Sequence, residues 1–322
     1  MIALVGAGRM GRGLAVVFAY AGHDVVLIDL KKREATDFAR LADEARAETA
    51  KTFETLARLG FFAAKDVAAI ARRIRVVPDS EAASVLPEAA FVFEGVPEVL
   101  EQKREVLARV SHLAGPKPII ASTTSTILVD DLADAIEHRE RFLNAHWLNP
   151  PYLMPLLELS AGKATRPDVV QALRSFLDGI GKVTVLCAAT PGYIVPRIQA
   201  LAMNEAARMV EEGVASAEEI DKAVKYGFGL RFAVLGLLEF IDWGGGDILY
   251  YASRYLTQAL GNERYAAPEI VERNMREGHI GMKTGRGFLD YEKMDLESHR
   301  LERLGAFASL LRDLDLVRPP VL

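Results

Sequence analysis

Residues 1–29 read MIALVGAGRMGRGLAVVFAYAGHDVVLID, and this stretch decides the fold. Ile2 to Val5 is a short apolar run stopped by Gly6, the pattern of a fully buried strand. Arg9 to Ala21 carries apolar residues at helical spacing and is ended by Gly22. Asp24 to Asp29 is a second strand of the same buried type. Strand, glycine turn, helix and strand in that order make one βαβ unit. Gly6-Ala7-Gly8-Arg9-Met10-Gly11 fits G-x-G-x-x-G, and it sits between a predicted strand and a predicted helix, the context that gives the motif meaning. Gly6 permits a tight turn, Gly8 lets the backbone approach a pyrophosphate, and Gly11 lets the helix close on the strand. The helix N-terminus, with Arg9 and Met10 in its first turn, offers free N–H groups to phosphates. Asp29 ends the second strand 18 residues beyond Gly11. A carboxylate there accepts from a ribose diol and repels a 2′-phosphate, which favours NAD over NADP. Lys31, Lys32 and Arg33 follow directly and soften that repulsion. FAD uses the same fingerprint, and a purely structural glycine turn with a solvated Asp29 is the plain alternative.

Outward from this unit, Lys31 to Leu59 is a long charged helical stretch with Phe38, Leu41, Ala45, Thr52, Leu56 and Leu59 on one face. A short helix, Asp66 to Arg73, follows, so the pair forms a helical hairpin inserted in the α/β core. Strands are expected at Ile74–Val77, Ala90–Phe93, Ile119–Ser122, Phe142–His146, Leu156–Leu159 and Val183–Leu186, with helices between most of them. This alternation predicts a Rossmann-type, doubly wound, mostly parallel sheet. After Thr190-Pro191-Gly192 the patterns are helical: Ile198 to Glu212, then Ala215 to Tyr226 with Ser216 as N-cap and Glu219 as its capping-box partner. The expected domains are 1–189, binding the dinucleotide, and 190–322, all helical, serving substrate and dimer contacts. A charged helical tail runs from Glu292 to Pro319-Pro320.

Composition narrows the class. The 322 residues are 50% apolar and 26% charged, enough to bury sizeable cores. The net charge of -5 gives no general attraction to nucleic acid or to an acidic membrane. Cys187 is the single cysteine, so no internal disulfide forms and a cysteine-rich metal site is excluded; no metal is expected. The longest apolar runs, such as Phe232 to Leu238, are far too short to cross a bilayer, and no basic leader precedes the first strand. A cytoplasmic protein is the expectation.

His146 stands at the end of a strand in Ala145-His146-Trp147-Leu148-Asn149-Pro150-Pro151, and Glu158 follows twelve residues later. The Asn-Pro-Pro turn between them would let the two side chains meet. A His beside a carboxylate is suited to take a proton from an alcohol, because the carboxylate fixes the tautomer. From spacing alone, a lone strand-end His and an unrelated surface Glu fit equally well.

With these pieces in order, the chain resembles the L-3-hydroxyacyl-CoA dehydrogenase family from Ile2 to about Tyr291. The matching segments are GAGRMG with Asp29, Phe93-Glu94-Gly95-Val96-Pro97-Glu98 with Lys103, Ser122-Thr123-Thr124-Ser125, His146 to Pro150, Glu158, Thr190-Pro191-Gly192-Tyr193, and Gly281-Met282-Lys283-Thr284-Gly285-Arg286-Gly287-Phe288. The resemblance implies NAD as cofactor and hydride transfer from the 3-hydroxyl carbon of an acyl chain. It implies His146 as catalytic base oriented by Glu158, with Ser125 touching the reacting hydroxyl and the nicotinamide. It puts Asn149 beside the nicotinamide, Glu98 and Lys103 near its ribose, and Lys283 close to the cofactor. It also implies a homodimer built on the helical domain.

Three departures bear on the substrate. The family pattern P-G-F-x-x-N-R has an asparagine where this chain has Pro196, followed by Arg197. The family's coenzyme A enzymes carry a basic helix in the early hairpin, whereas Ala45 to Leu59 sets Arg46, Lys51 and Arg58 against Glu48 and Glu54. Tyr226 to Ala233 is slightly longer than the acyl-CoA pattern and resembles the branch holding L-gulonate 3-dehydrogenase and L-carnitine dehydrogenase, as does Asn149-Pro150-Pro151-Tyr152. The leading expectation is an L-3-hydroxyacyl-CoA such as 3-hydroxybutyryl-CoA as small-molecule substrate. The alternatives are a free 3-hydroxy acid whose carboxylate is held by Arg197 or Arg231, and a non-catalytic NAD-binding structural protein.

Overall fold

The computed structural model describes residues 1–320, and the last two residues of the expected second domain lie outside the described residues. The chain divides into two compact units, Met1–Met203 and Asn204–Leu322.

In the first unit β1 (Ile2–Val5), α1 (Arg9–Tyr20) and β2 (Val25–Asp29) form the expected βαβ unit. The hairpin helices α2 (Ala35–Arg58) and α3 (Val67–Ala71) make the crossover to β3 (Ile74–Pro78). Then come α4 (Ala82–Val85), β4 (Phe91–Glu94), α5 (Leu100–Ala114), β5 (Ile119–Ser122), α6 (Val129–Ala133), β6 (Phe142–Trp147), β7 (Leu156–Ala161), α7 (Pro167–Gly179) and β8 (Val183–Cys187). All eight expected strands are present and join one sheet in the order β3-β2-β1-β4-β5-β6-β7-β8. Every pairing is parallel except β6 with β7. The chain order reverses between β1 and β4, so a crevice opens at the carboxyl ends of those strands, where such sheets bind ligands.

Strand alternation fills both faces. Ile2 and Leu4 point into one apolar layer with Leu14, Phe18, Phe53, Trp147 and Leu173, while Ala3 and Val5 point into the other with Leu86, Leu107, Val110 and Leu132. Phe18 is fully buried, stacked 5.1 Å from Phe93 and edge-on at 5.8 Å to Trp147. Truncating such a ring to alanine costs about 3–5 kcal/mol. The buried face of α2 differs from the expected one: it runs through Ala42, Ala45, Thr49, Phe53 and Leu56, and Leu59 is 64% exposed. The rotation follows Phe53, which is fully buried and packs edge-on to Phe62, whereas Phe38, the helix's other phenylalanine, is only partly buried.

Helix α8 (Val195–Glu211) spans the division between the units. The expected boundary at 189/190 marks the end of β8, but residues 190–203 go with the first unit. The reason is local: the Tyr193 hydroxyl donates to Thr124 O and accepts from Asn144 Nδ2, and the Ile194 and Val195 N–H groups donate to Glu158. Pro196 is the second residue of α8, where its missing N–H is not needed.

The second unit continues with α9 (Ala217–Ala223), α10 (Leu230–Phe232), α11 (Leu237–Gly244), α12 (Gly246–Leu260), α13 (Glu269–Glu277) and α14 (Leu296–Asp313). Ser216 caps α9 as expected, its Oγ accepting from Glu219 N at 3.3 Å. The single helix expected over Ala215–Tyr226 is instead α9 followed by a widened π turn, Val224–Gly229. Gly227 and Gly229 weaken the α register, and a Cβ on Gly229 would lie 3.1 Å from Val224 O. Among the described residues this unit has no strand, only bridges pairing Arg286 with Gly281 and Asp290. Its Gly281 to Phe288 loop wraps the buried Asp242 carboxylate, which accepts from Phe288 N at 2.9 Å and Leu289 N at 2.8 Å. A Cβ at Gly281 or Gly287 would strike Asp242, so these two glycines of the motif serve that clamp.

Candidate active site

The first unit carries a cavity of about 610 Å³ at the carboxyl ends of β1, β2 and β4. Gly6, Gly8, Arg9 and Asp29 line it, with Val96 and Pro97 opposite. Gly6 holds φ +104°, and a Cβ on Gly11 would sit 2.0 Å from Gly6 O, so both glycines are demanded by the turn itself. Gly8 differs: a Cβ there would meet no protein atom within 4 Å, so the space over its backbone is open to a ligand. The N–H groups of the first α1 turn face no acidic side chain of that turn, leaving an anion site. Met10 is partly buried and packs against the core. Asp29 is 5% exposed and accepts from Arg33 Nε at 2.5 Å. A pyrophosphate over Gly8 and a ribose at Asp29 fit these residues.

Farther along the same carboxyl edge, three strand spacings or about 14 Å from β1, the antiparallel register of β6 and β7 pairs His146 with Glu158. His146 Nδ1 is 2.7 Å from Glu158 Oε2. Both side chains are buried. The second carboxylate oxygen, Oε1, accepts from Ile194 N and Val195 N, each at 2.9 Å. Burial pushes the Glu158 carboxyl up, but the hydrogen bonds from His146, Val195 and Ile194 outweigh it and hold the group below the ordinary carboxylate range. An ionised Glu158 accepts from Nδ1–H, which leaves Nε2 as the imidazole's free acceptor. Tyr193 stacks on the imidazole with ring centres 4.9 Å apart and planes 9° from parallel. Burial pushes its phenol up, so it stays protonated and donates to Thr124 O.

Between these regions, the loops after β4 and β5 are tied by two carboxylates. Glu94 is fully buried and accepts from Lys103 Nζ at 2.9 Å, Val96 N at 2.7 Å and Ser122 Oγ at 2.6 Å. Glu98 accepts from Ser125 N at 2.9 Å, from Thr126 N at 3.0 Å and from the Thr124 hydroxyl, and lies 3.6 Å from Lys103. Burial raises its carboxyl, and the Thr124 hydroxyl, the Lys103 charge and Thr126 bring it below the ordinary range. Ser125 is exposed at the tip of this loop. Lys103 is 1% exposed, with its ammonium held by Glu94 and by Val96 O and 3.6 Å from Glu98.

The remaining expected residues are more dispersed. Asn149 is exposed in the loop after β6 and lines a second cavity of about 360 Å³ with Arg9, Arg12 and Tyr152. Arg197 is exposed and without a side-chain partner among the described residues. In the second unit, the Arg231 guanidinium lies 4.6 Å from the Phe240 ring centre, and Lys283 Nζ is 3.8 Å from Asp247. Sequence reasoning gave no role to Glu94, Tyr193 or Arg12. Glu94 and Tyr193 were both within matched motifs, but Tyr193 meets Asn144 and Thr124, far back in the chain, and Glu94 joins Lys103 to the distant Ser122; Arg12 is ion-paired to Glu48 across α1 and α2.

Residues 1–190 match the family model described as 3-hydroxyacyl-CoA dehydrogenase, NAD binding domain, and residues 192–291 match 3-hydroxyacyl-CoA dehydrogenase, C-terminal domain. The chain is 31% identical over 98% of its length, and 98% of the relative's, to 5-formyl-3-hydroxy-2-methylpyridine 4-carboxylate 5-dehydrogenase of Mesorhizobium japonicum. It is 32% identical to 3-hydroxybutyryl-CoA dehydrogenase of Bradyrhizobium diazoefficiens, over 90% of this chain and 94% of that one. Among solved structures, a 3-hydroxyacyl-CoA dehydrogenase from Archaeoglobus fulgidus superposes with TM-score 0.76 at 32% identity, covering 98% of this chain and 99% of that one.

Proposed function

The chain belongs to the 3-hydroxyacyl-CoA dehydrogenase family, and on that premise we propose that it is an NAD-dependent oxidoreductase interconverting an L-3-hydroxyacyl-CoA, such as 3-hydroxybutyryl-CoA, with its 3-oxo form. The observation that carries the reading is the buried His146–Glu158 pair on the carboxyl edge that also holds the glycine turn. When bound, NAD supplies the acceptor for the hydride. The protein supplies position and a proton acceptor. His146 takes the proton of the 3-hydroxyl at Nε2, and Glu158 stays ionised to stabilise the imidazolium. Ser125, on the loop fixed by Glu98, is assigned to the substrate oxygen, and Asn149 to the nicotinamide side. Gly6, Gly8, Arg9, Met10, Gly11 and Asp29 are assigned to the dinucleotide, Glu98 to the nicotinamide ribose, and Lys283 to the cofactor. His146→Gln should lower kcat by roughly 10²–10⁴-fold with NADH binding retained. An unchanged rate removes His146 from the mechanism.

A free 3-hydroxy acid is the second reading, with Arg197 or Arg231 as the carboxylate fork. It is supported by the relative from Mesorhizobium japonicum, 31% identical over 98% of this chain, whose name gives a free pyridine carboxylate and no coenzyme A. NADH oxidation with acetoacetyl-CoA separates the two. Measurable turnover supports the thioester, and its absence beside turnover of a free 3-oxo acid supports the second reading. A homodimer belongs to the same proposal, supported by the exposed apolar face of α12 at Ile248, Tyr251 and Tyr255; a monomer by light scattering would remove it. No helix of the described residues is long and apolar enough to cross a membrane, and we assign the protein to the cytoplasm.

A further inference from the structure

We propose that Lys31, Lys32 and Arg33 form a binding site for the ribose 2′-phosphate of NADP, so that the protein takes NADPH as well as NADH. This rests on reading the crevice as a dinucleotide site. The group that would repel a 2′-phosphate is Asp29, and its charge is already met within the chain by Arg33 at 2.5 Å. Only Nε of Arg33 makes that contact, and its side chain is 30% exposed. The two terminal nitrogens of the guanidinium therefore remain available to fork onto a phosphate.

Beside the crevice lies a second hollow, of about 180 Å³, walled by Lys31, Lys32, Arg33, Phe38, Pro78 and Ser80, with Asp79 between the last two. It shares Lys31 and Arg33 with the larger cavity. Asp79 is ion-paired to Arg109 at 2.6 Å, as Asp29 is to Arg33. Asp29 and Asp79 thus each have an arginine beside them. Lys31 and Lys32 have no anionic partner among the described residues. Two unmatched ammonium groups and half of a guanidinium border a space that takes a phosphate, at the strand end where the adenosine ribose docks. The geometry favours a dianionic phosphomonoester there.

The test is a titration of the full-length protein with NADH and with NADPH, followed by nicotinamide fluorescence. NADPH should bind with a Kd within about tenfold of that for NADH. Lys32 borders the hollow and not the crevice, so Lys32→Ala should weaken NADPH roughly tenfold while leaving NADH nearly unchanged. Arg33→Ala should weaken NADPH and leave NADH equal or tighter, because it frees Asp29 for the ribose diol. Competition with 2′,5′-ADP against 3′,5′-ADP separates the NADP phosphate from that of coenzyme A, and the first should compete better. NADPH binding more than about a hundredfold weaker than NADH overturns the proposal. So does equal weakening of both nucleotides in Lys32→Ala, or preference for 3′,5′-ADP. Failure to bind NADH at all would instead remove the dinucleotide reading, and the phosphate site with it.

Discussion

Two buried carboxylates at the sheet show how differently one fold can hold an acid. Glu158 sits on β7, fixed by the register with β6, and both its oxygens are filled: one by His146, the other by two backbone N–H groups from the start of α8. Asp29 ends β2, is nearly as buried, and meets the partly exposed Arg33. The first acid is surrounded by donors that cannot move without unfolding a strand or a helix. The second answers to a side chain that can leave. Rigid donors fix one protonation state and one geometry, as proton transfer requires, whereas a mobile counter-charge leaves room for alternative ligands.

The contrast can be broken most severely at Glu158. Glu158→Gln presents an amide to an imidazole that needs a carboxylate, and should lower kcat by roughly 10³–10⁴-fold, judged from tautomer loss in comparable dyads. A fall of less than tenfold would mean that Glu158 does not orient His146. At the other acid, Asp29→Ala should weaken NADH binding by roughly ten- to a hundredfold, since a charge-assisted pair to the ribose is lost. Calorimetric titration reads this, and it should leave kcat at saturating cofactor little changed. Tyr193→Phe removes a hydroxyl that Asn144 and Thr124 O both use, at a cost of about 1–2 kcal/mol in unfolding free energy. It keeps the ring on His146, so the pH profile of kcat should hold while stability to urea falls. Equal kcat in Tyr193→Phe and Tyr193→Leu would show that stacking contributes nothing to rate.

The smallest effect concerns pH. The Glu158 carboxyl is held below its ordinary value of 4.5 in the folded protein. A depressed acid adds stability that is present above the unfolded value and is lost as pH falls through the folded one. Melting temperature should therefore drop below about pH 4.5, and less steeply in Glu158→Gln. Identical profiles would mean that other carboxylates, Glu98 among them, carry the acid limb.

Much of the fold was legible because its signals are local. Most strands are short runs rich in apolar residues, several of them stopped by glycine or proline, and in a doubly wound sheet both faces are buried, so such a run needs no partner to be seen. The α2 face was misjudged because helical spacing offers several overlapping apolar stripes, and only the approach of Phe62 picks the one through Phe53. The widened turn at Val224–Gly229 escaped because glycine in a helical pattern marks weakness without saying how the backbone relieves it. The Gly281 to Phe288 motif was read for Lys283, whereas Gly281 and Gly287 answer to Asp242, a residue far away in the chain.

The sequence by itself determined the βαβ opening, the eight strands, the change to helices after Gly192, and the residue types that suit a dinucleotide and a proton acceptor. These depend on periodicity and on the conformational limits of glycine and proline, which act over a few residues. Only the tertiary structure decided that His146 meets Glu158 rather than solvent, that Tyr193 covers the imidazole, that Glu94 holds Lys103, and that Arg33 occupies Asp29. His146, Tyr193 and Glu94 meet their partners through strand register and chain return, and burial makes each unpaired polar group costly enough to fix its partner.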